Sequence, residues 1–200
     1  MGGHDPYSSS KGCAELVTAA YRQSFFSDQT LIASARAGNV IGGGDWSLNR
    51  LIPDCVRAWS NNEKVFLRNP YSTRPWQHVL EPIKGYLLLA ETMTTKGNEF
   101  CQSYNFGPHQ SSNKTVKELV EKIVTIWPGK WEFNTSLNQN FHEAKLLNLQ
   151  IDKVGHLLSW YPKWDFDKTV EITVDWYKSV YEGYETFEKV LENIKEYESS

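Results

Sequence analysis

The sequence predicts an α/β fold with a smaller mixed α+β portion after residue 107. Two observations support this prediction. Short apolar segments with strand character alternate with longer segments that have helical spacing, an order typical of α/β proteins. The 200 residues are 40% hydrophobic and 22% charged, which is the composition of a globular protein with a buried core.

The predicted helices begin at prolines or at side chains that can cap a helix. Pro6 opens the first, which runs to about Phe26, and Thr115 with Glu118 forms a capping-box pattern before an apolar stripe. The remaining predicted helices are 51–59, 80–95, 152–158 with Asp152 as its cap, and 167–180 with Asp167 as its cap. Beyond Gly183 the charges fall at helical spacing, and we expect this tail to fray.

Short apolar or alternating segments between these helices are predicted strands, namely 30–36, 64–67, 76–79, 103–106 and 131–133. Residues 40–46 (VIGGGDW) are expected to form a loop, since three successive glycines permit a close approach of the backbone to another group. His78 lies in an alternating strand, and we interpret it as a core histidine. Trp160, Trp164 and Trp176 are expected to pack in the core of the smaller domain.

The charge pattern excludes several classes of partner. With 21 Lys and Arg against 24 Asp and Glu, the net charge is −3. This balance gives no indication of binding to nucleic acid or to an anionic membrane. The longest apolar stretch, 86–90, is far shorter than the ~18 residues that span a bilayer. Three distant cysteines and five histidines show no metal-ligand spacing, so we expect no metal site and a cytoplasmic location.

Tyr7 and Lys11 are four residues apart on the first predicted helix, which places both on one face. A lysine ammonium close to a phenol stabilises the phenolate and lowers the pKa of the phenol, so such a pair can act as a general base. The spacing alone is weak evidence, because chance produces such pairs and a solvated lysine beside a tyrosine is the simpler interpretation.

Six short motifs strengthen the catalytic interpretation, because they occur in the order found in one known family. The motifs are HDPYSSSK (4–11), RAGNVIGGGDW (36–46), RLIPD (50–54), RPWQHVLEP (74–82), YNFGP (104–108) and HEAKLL (142–147). By these motifs the chain resembles the extended short-chain dehydrogenase/reductase family, and within it the sugar-nucleotide dehydratases, most narrowly those that act on CDP-glucose. The resemblance extends from about residue 2 to residue 180.

The resemblance implies a fold and a division of the chain. Residues 1–107 would be the remnant of a Rossmann-type parallel sheet, interleaved with substrate-binding segments. Residues 108–183 would form a small substrate-binding domain, and 184–200 the charged helical tail. The sequence contains no GxGxxG or GxxGxxG turn for a dinucleotide pyrophosphate, so we expect a C-terminal portion that lacks most of the NAD-binding half and is inactive alone.

The resemblance also assigns roles to individual residues. Tyr7 would take the proton of the sugar 4-hydroxyl and Lys11 would hold the nicotinamide ribose of NAD, with Ala37 also at the cofactor. The residues implied at the nucleotide sugar are Asn39, Arg50, Leu51, Pro53, Arg74, Asn105, His142 and Glu143. Each has a plainer interpretation as well: Arg74 could be a surface arginine stacked on an aromatic ring, Asn39 and Asn105 turn residues, and 50–53 the start of an amphipathic helix.

Three functions remain open on the sequence. The first is an NAD-dependent lyase that dehydrates a nucleotide sugar, a homo-oligomer in its full-length form. The second is a non-catalytic fragment that keeps a sugar-nucleotide-binding lobe or a subunit interface. The third is an epimerase or decarboxylase of the same family, since oxidation at C4 is common to all of them. The sequence leaves open the nucleotide base, the oligomeric state and the choice between NAD and NADP.

Overall fold

The computed structural model describes residues 5–26, 29–133 and 147–200. The elements in chain order are α1 (Pro6–Ser24), β1 (Ser34–Ala37), β2 (Asn39–Ile41), α2 (Leu51–Ser60), β3 (Lys64–Leu67), β4 (Thr73–His78), α3 (Leu80–Lys96), β5 (Ser103–Phe106), β6 (Asn113–Thr115), α4 (Val116–Ile126), β7 (Lys130–Phe133), α5 (Asp152–Leu158), α6 (Phe166–Tyr181) and α7 (Thr186–Ser199). Two 3-10 turns, Asn98–Phe100 and Gln110–Ser112, flank β5.

The chain folds into two compact units, each built from three separate segments. The first unit comprises Met1–Ala37, Pro82–Phe106 and Gln150–Tyr161. The second comprises Gly38–Glu81, Gly107–Leu149 and Pro162–Ser200. The predicted domain limits at residues 107 and 183 remain a prediction.

The first unit contains a parallel pair of strands. β1 and β5 run in the same direction, with Ser34 opposite Ser103 and Ala37 opposite Phe106. Apolar side chains pack together in this unit, and the buried members are Leu89, Tyr104, Phe106, Val154, Leu158 and Trp160. Burial of a large apolar side chain contributes about 1.5–3 kcal/mol, so this cluster supplies the main stabilisation of the unit.

The second unit contains two further sheets. β2 pairs with β4 in parallel and β6 pairs with β4 in antiparallel orientation, whereas β3 pairs with β7 in parallel. Its core brings together the apolar faces of α2, α4 and α6, and includes Trp59, Trp76, Ile123, Val170 and Trp176. The second unit therefore holds the larger hydrophobic core.

Several local predictions are confirmed. α1 begins at Pro6, and the Asp5 carboxylate accepts a 3.0 Å hydrogen bond from the Ser8 N–H, so an aspartate caps the helix as its chemistry favours. The capping box at the start of α4 is present as predicted. His78 is 3% exposed and buried among aromatic rings. Trp160, Trp164 and Trp176 are buried as well, but they do not share one core, because Trp160 packs in the first unit and the other two pack in the second.

The strand predictions were wrong at four places, one of which is β6, a strand that was not predicted. Val40 and Ile41 were predicted in a loop but belong to β2, because their backbone pairs with β4. β1 begins at Ser34 instead of residue 30, and β4 begins at Thr73 instead of residue 76. Pairing with a distant strand, which no local pattern records, sets these limits.

The helix caps and the tail also needed correction. The cap of α6 is Asp165, whose side chain accepts from the Lys168 N–H at 2.9 Å, and Asp167 lies in the first turn instead. Ile151 precedes α5, so Asp152 is its first residue and not its cap. The tail does not fray: it forms α7, with Asn193 and Tyr197 buried.

None of the helices in the described segments is long and apolar enough to cross a membrane.

Candidate functional site

A cavity of about 680 Å³ lies within the second unit. Most of its wall comes from β2 with the glycine loop that follows, α2, β3 and β4, and Val116 of α4 and Tyr177 of α6 complete it. Five of the residues predicted to touch a nucleotide sugar line it together, namely Asn39, Arg50, Leu51, Pro53 and Arg74. These residues span 36 positions of sequence, so the folding of β2 against β4 is what brings the two ends of the set together.

Arg74 is the one buried residue among the four basic side chains that line this cavity. It lies in β4, is only 7% exposed, and its Nη1 donates a 2.8 Å hydrogen bond to the Thr73 carbonyl oxygen. A buried guanidinium at a cavity wall is a strong anion ligand, since its planar donors match two oxygens of a phosphate at once. The prediction that Arg74 could be a surface arginine is therefore wrong.

The cavity lining is rich in positive charge. Besides Arg74 it contains Arg50, Lys64 and Arg68, against the two carboxylates of Asp45 and Asp54. The start of α2 adds to this field, because the first backbone N–H groups of a helix have no partner within the helix and carry the positive end of its dipole. The surroundings therefore favour a ligand with negative charge, such as a diphosphate.

The glycine loop is held against α6. A Cβ atom on Gly43 would lie 2.1 Å from the indole of Trp176, so only glycine lets the backbone approach this ring. This contact is the close approach predicted for the glycine run. The hydroxyl of Tyr177, the next residue of α6, donates a 2.6 Å hydrogen bond to the Asp45 carbonyl oxygen. Two aromatic side chains of α6 thus set the position of one cavity wall.

Asp45 remains a stable anion at this wall. The Ser47 N–H, 2.9 Å from its Oδ1, lowers the pKa of the Asp45 carboxyl; partial burial opposes this, and Arg50 and Arg57 lower the pKa further. Arg57 also donates to the Trp46 carbonyl oxygen at 2.9 Å. The loop between β2 and α2 is therefore fixed by charge as well as by packing.

Tyr7 and Lys11 lie in the first unit, on the first turns of α1. Tyr7 is 71% exposed, and the Lys11 ammonium lies 5.4 Å from the centroid of its ring. The predicted common face of the two side chains is thus present. An exposed phenol with an ammonium beside it is sterically free to meet a ligand.

The other predicted residues have different positions. Asn105, on β5, accepts from Arg36 Nε at 2.7 Å and donates to the Gln150 carbonyl oxygen at 3.2 Å, so its amide is engaged inside the first unit. Ala37 ends β1. His142 and Glu143 lie outside the described residues. The roles of all these residues remain predictions.

Sequence reasoning missed the contribution of β3. The segment from Lys64 to Asn69 lines the cavity, with Phe66 56% exposed and flanked by Lys64 and Arg68. The two basic residues at positions 64 and 68 were a usable signal, because residues two apart in a strand share a face and both fall on the same face as Phe66. Among the described residues, no group of histidines, cysteines and carboxylates could hold a metal ion.

The fold defines the class of the protein: an α/β chain with Rossmann-type relatives. A solved dTDP-glucose 4,6-dehydratase from Bacillus anthracis, described as a complex with NAD, matches with a TM-score of 0.71 and 23% identity, over 92% of this chain and 55% of that one. A UDP-glucuronic acid 4-epimerase from Bacillus cereus matches with a TM-score of 0.74 and 19% identity, over 88% of this chain and 54% of that one.

The chain belongs to the NAD dependent epimerase/dehydratase family, whose model matches residues 2–107. It is 47% identical over 189 residues to CDP-glucose 4,6-dehydratase of Salmonella typhimurium, a match that covers 92% of this chain and 53% of the relative. It is 24% identical to dTDP-D-glucose 4,6-dehydratase of Mus musculus, over 94% of this chain and 52% of the relative. The chain therefore spans about half the length of the curated relatives that it matches.

Proposed function

We propose that this chain is the C-terminal half of a CDP-glucose 4,6-dehydratase, a lyase that converts CDP-glucose to CDP-4-keto-6-deoxyglucose. The observation that carries the proposal is the buried guanidinium of Arg74 in a cationic cavity at the start of α2. The 47% identity to the Salmonella relative supports the choice of reaction and of the cytidine base.

In this proposal the cavity of the second unit binds the nucleotide diphosphate. Arg74 clamps phosphate oxygens, Asn39 donates from its amide, and the N–H groups of Leu51 and Ile52 at the start of α2 complete the anion site. Phe66, exposed on the cavity side of β3, offers an aromatic face to the base. The cavity thus offers hydrogen-bond donors to the diphosphate and an aromatic ring to the pyrimidine base.

Tyr7 and Lys11 supply the proton chemistry. The Tyr7 phenolate accepts the proton of the sugar 4-hydroxyl, and the Lys11 ammonium beside the ring stabilises the phenolate. The 4-ketone that results acidifies C5–H, and water then leaves across C5–C6. The C4 hydride would return to C6 by way of a bound hydride carrier, so that the net change is the loss of one water.

NAD is the cofactor that this chemistry requires, and when bound it would supply the hydride acceptor. The residues present fit only one end of it: the exposed Tyr7–Lys11 pair and Ala37 suit the nicotinamide ribose. No glycine-rich turn of the pyrophosphate-binding type occurs in the sequence. We therefore propose that most of the NAD site belongs to a segment that this chain lacks, and that the 200 residues alone do not turn over.

A second candidate is a non-catalytic association fragment. It is favoured by α1, which has no buried residue among its 19 and exposes Leu16, Val17 and Tyr21 by more than half. Large apolar side chains that are exposed together on one helix indicate a surface that another protein chain covers. The full-length enzyme is proposed to be a homo-oligomer on the same ground. An epimerase or decarboxylase of the same family would share Tyr7 and Lys11 and differ in residues near C5 and C6.

The proposal is tested by calorimetric titration of the 200-residue chain with CDP, UDP and dTDP. We expect CDP to bind more tightly than the other two, and Arg74→Lys to weaken it by about tenfold or more, because lysine cannot bind two phosphate oxygens in parallel. Arg36→Lys, an arginine change outside the cavity, is the matched control. CDP binding that Arg74→Lys leaves unchanged would overturn the assignment of the cavity.

Turnover is tested with a longer chain. Joining these 200 residues to the N-terminal part of the Salmonella relative is expected to give a 4-keto product from CDP-glucose and NAD. The same fusion with Tyr7→Phe should lose about 10²-fold or more of its rate. A fusion that binds CDP normally but converts CDP-glucose to its epimer would favour the third function.

A further inference from the structure

The last helix, α7, packs against α6 within the second unit, largely through polar side chains. Lys189 forms an ion pair with Asp175 of α6 at 2.7 Å, and Glu196 pairs with Lys168 of α6 at 2.5 Å. Asn193, between these two, is 7% exposed, and its Oδ1 has no hydrogen-bond partner in the part of the chain that the structure describes. The inner face also buries the ring of Tyr197 against Trp164 and Ile172, so one aromatic side chain, one asparagine and two ion pairs hold α7 in place.

The apolar stripe of α7 faces solvent instead. Phe187 is 66% exposed and Leu191 37% exposed, and Ile194 is half-buried. These residues are four and three positions apart, which is the spacing of the a and d positions in a coiled coil. Val190, 40% exposed, widens the stripe. An exposed stripe at this spacing marks a surface for a second helix.

Two charges flank the stripe. Glu188 and Lys195 are seven residues apart, so both occupy the position directly after a core position, one near each end of the stripe. Within the described segments neither forms an ion pair, whereas Lys189 and Glu196 on the other side of the helix both do. The charges beside the stripe are thus free to meet a partner.

We propose that α7 pairs in antiparallel orientation with α7 of a second copy of this chain. When Leu191 packs against Ile194 of the second copy, Glu188 comes opposite Lys195 of that copy, and two-fold symmetry repeats the ion pair. A parallel pair would leave Glu188 and Lys195 without opposite charges. In this register Phe187 lies opposite Glu198 of the second copy, so the apolar contact is confined to Leu191 and Ile194. The charge complementarity of Glu188 and Lys195 singles out a second copy as the occupant, and the inference does not rest on the proposed enzymatic function.

Charge reversal tests the pairing without disturbing the fold, because both side chains are exposed. By sedimentation equilibrium up to a few hundred micromolar, a range suited to a short interface, we expect a dimer of the 200-residue chain. E188K and K195E should each raise the dissociation constant by about tenfold, since each puts like charges face to face. The double variant E188K/K195E should restore it.

A mixture of the two single variants provides the sharpest result. One chain then carries two lysines and the other two glutamates at these positions, so a heterodimer should form in preference to either homodimer. L191D should raise the dissociation constant at least as much as E188K does, whereas L48D, at a leucine that is 76% exposed outside α7, should leave it unchanged. Association through α1 would respond to neither E188K nor L191D. A monomer at every concentration, or an association that neither E188K nor L191D changes, would overturn the proposal.

Discussion

The hydroxyl of Tyr197, in the last turn of α7, donates a 2.8 Å hydrogen bond to the carboxylate of Glu81, 116 residues earlier in the chain. Glu81 is completely buried, and its other oxygen accepts from the backbone N–H groups of Lys163 and Trp164 at 3.0 and 2.8 Å. Burial raises the pKa of the Glu81 carboxyl, and the three donors act in the opposite direction. The Lys163 ammonium also binds the Tyr197 carbonyl oxygen at 2.9 Å. These contacts hold α7, the charged C-terminal segment, in place as an ordered helix.

Tyr197→Phe is expected to destabilise the protein by about 1–3 kcal/mol, because it leaves a buried carboxylate oxygen without its donor. Urea unfolding followed by tryptophan fluorescence measures the loss. Tyr184→Phe is the matched control, since Tyr184 is 54% exposed. An equal and small effect of both variants would show that the Glu81 contact contributes nothing.

Stability is expected to fall on mild acidification because of His78. Burial lowers the pKa of its imidazole from 6.5 to about 4, and its Nδ1 accepts from the Leu80 N–H at 3.3 Å. The unfolded chain therefore binds more protons than the folded one between these values, so the contribution of His78 is complete above pH 6.5 and declines as the pH falls toward 4.

The comparison with His78→Asn measures this contribution, because asparagine keeps an acceptor and does not titrate. The difference in unfolding free energy between the two proteins should change by on the order of 3 kcal/mol between pH 7 and pH 4. A difference that stays constant over this range would contradict a neutral, buried histidine.

Gly43→Ala is expected to cost about 1–3 kcal/mol and to weaken nucleotide binding, because the new methyl group would overlap the indole of Trp176. The double variant Gly43→Ala with Trp176→Phe should recover part of the loss, since the smaller ring leaves room. Thermal unfolding and CDP titration provide the two readouts. Purely additive effects of the two changes would show that the ring and the glycine loop do not constrain each other.

Thr115→Ala is expected to cost about 1 kcal/mol through the loss of the capping box of α4. Thr115 Oγ1 accepts from the Glu118 N–H at 3.1 Å, and Glu118 Oε2 accepts from the Thr115 N–H at 2.7 Å. Thr115→Ser keeps both of these contacts and should be nearly neutral, which urea unfolding can check. Equal losses in both variants would point to the missing methyl group and not to the cap.

Interactions between residues that are close in sequence determined several helix starts and the Tyr7–Lys11 pair. Pro6 and the Thr115–Glu118 box start helices because the groups that satisfy a helix end are close in sequence, and Tyr7 and Lys11 meet because four residues make about one helical turn. The ordered motifs likewise predicted the family, because each motif is a continuous run of residues. Such features need no knowledge of the rest of the chain.

Only the tertiary structure decided which distant segments share a surface. β3 joins the cavity wall, Trp176 fills the space that Gly43 leaves, and Glu81 holds α7, all through partners far away in sequence. A short pattern records the propensity of a segment but not its partner, because pairing register and burial depend on the whole set of competing contacts. For the same reason the sequence did not show that the charged C-terminal segment forms α7, which the buried carboxylate of Glu81 helps to hold in place.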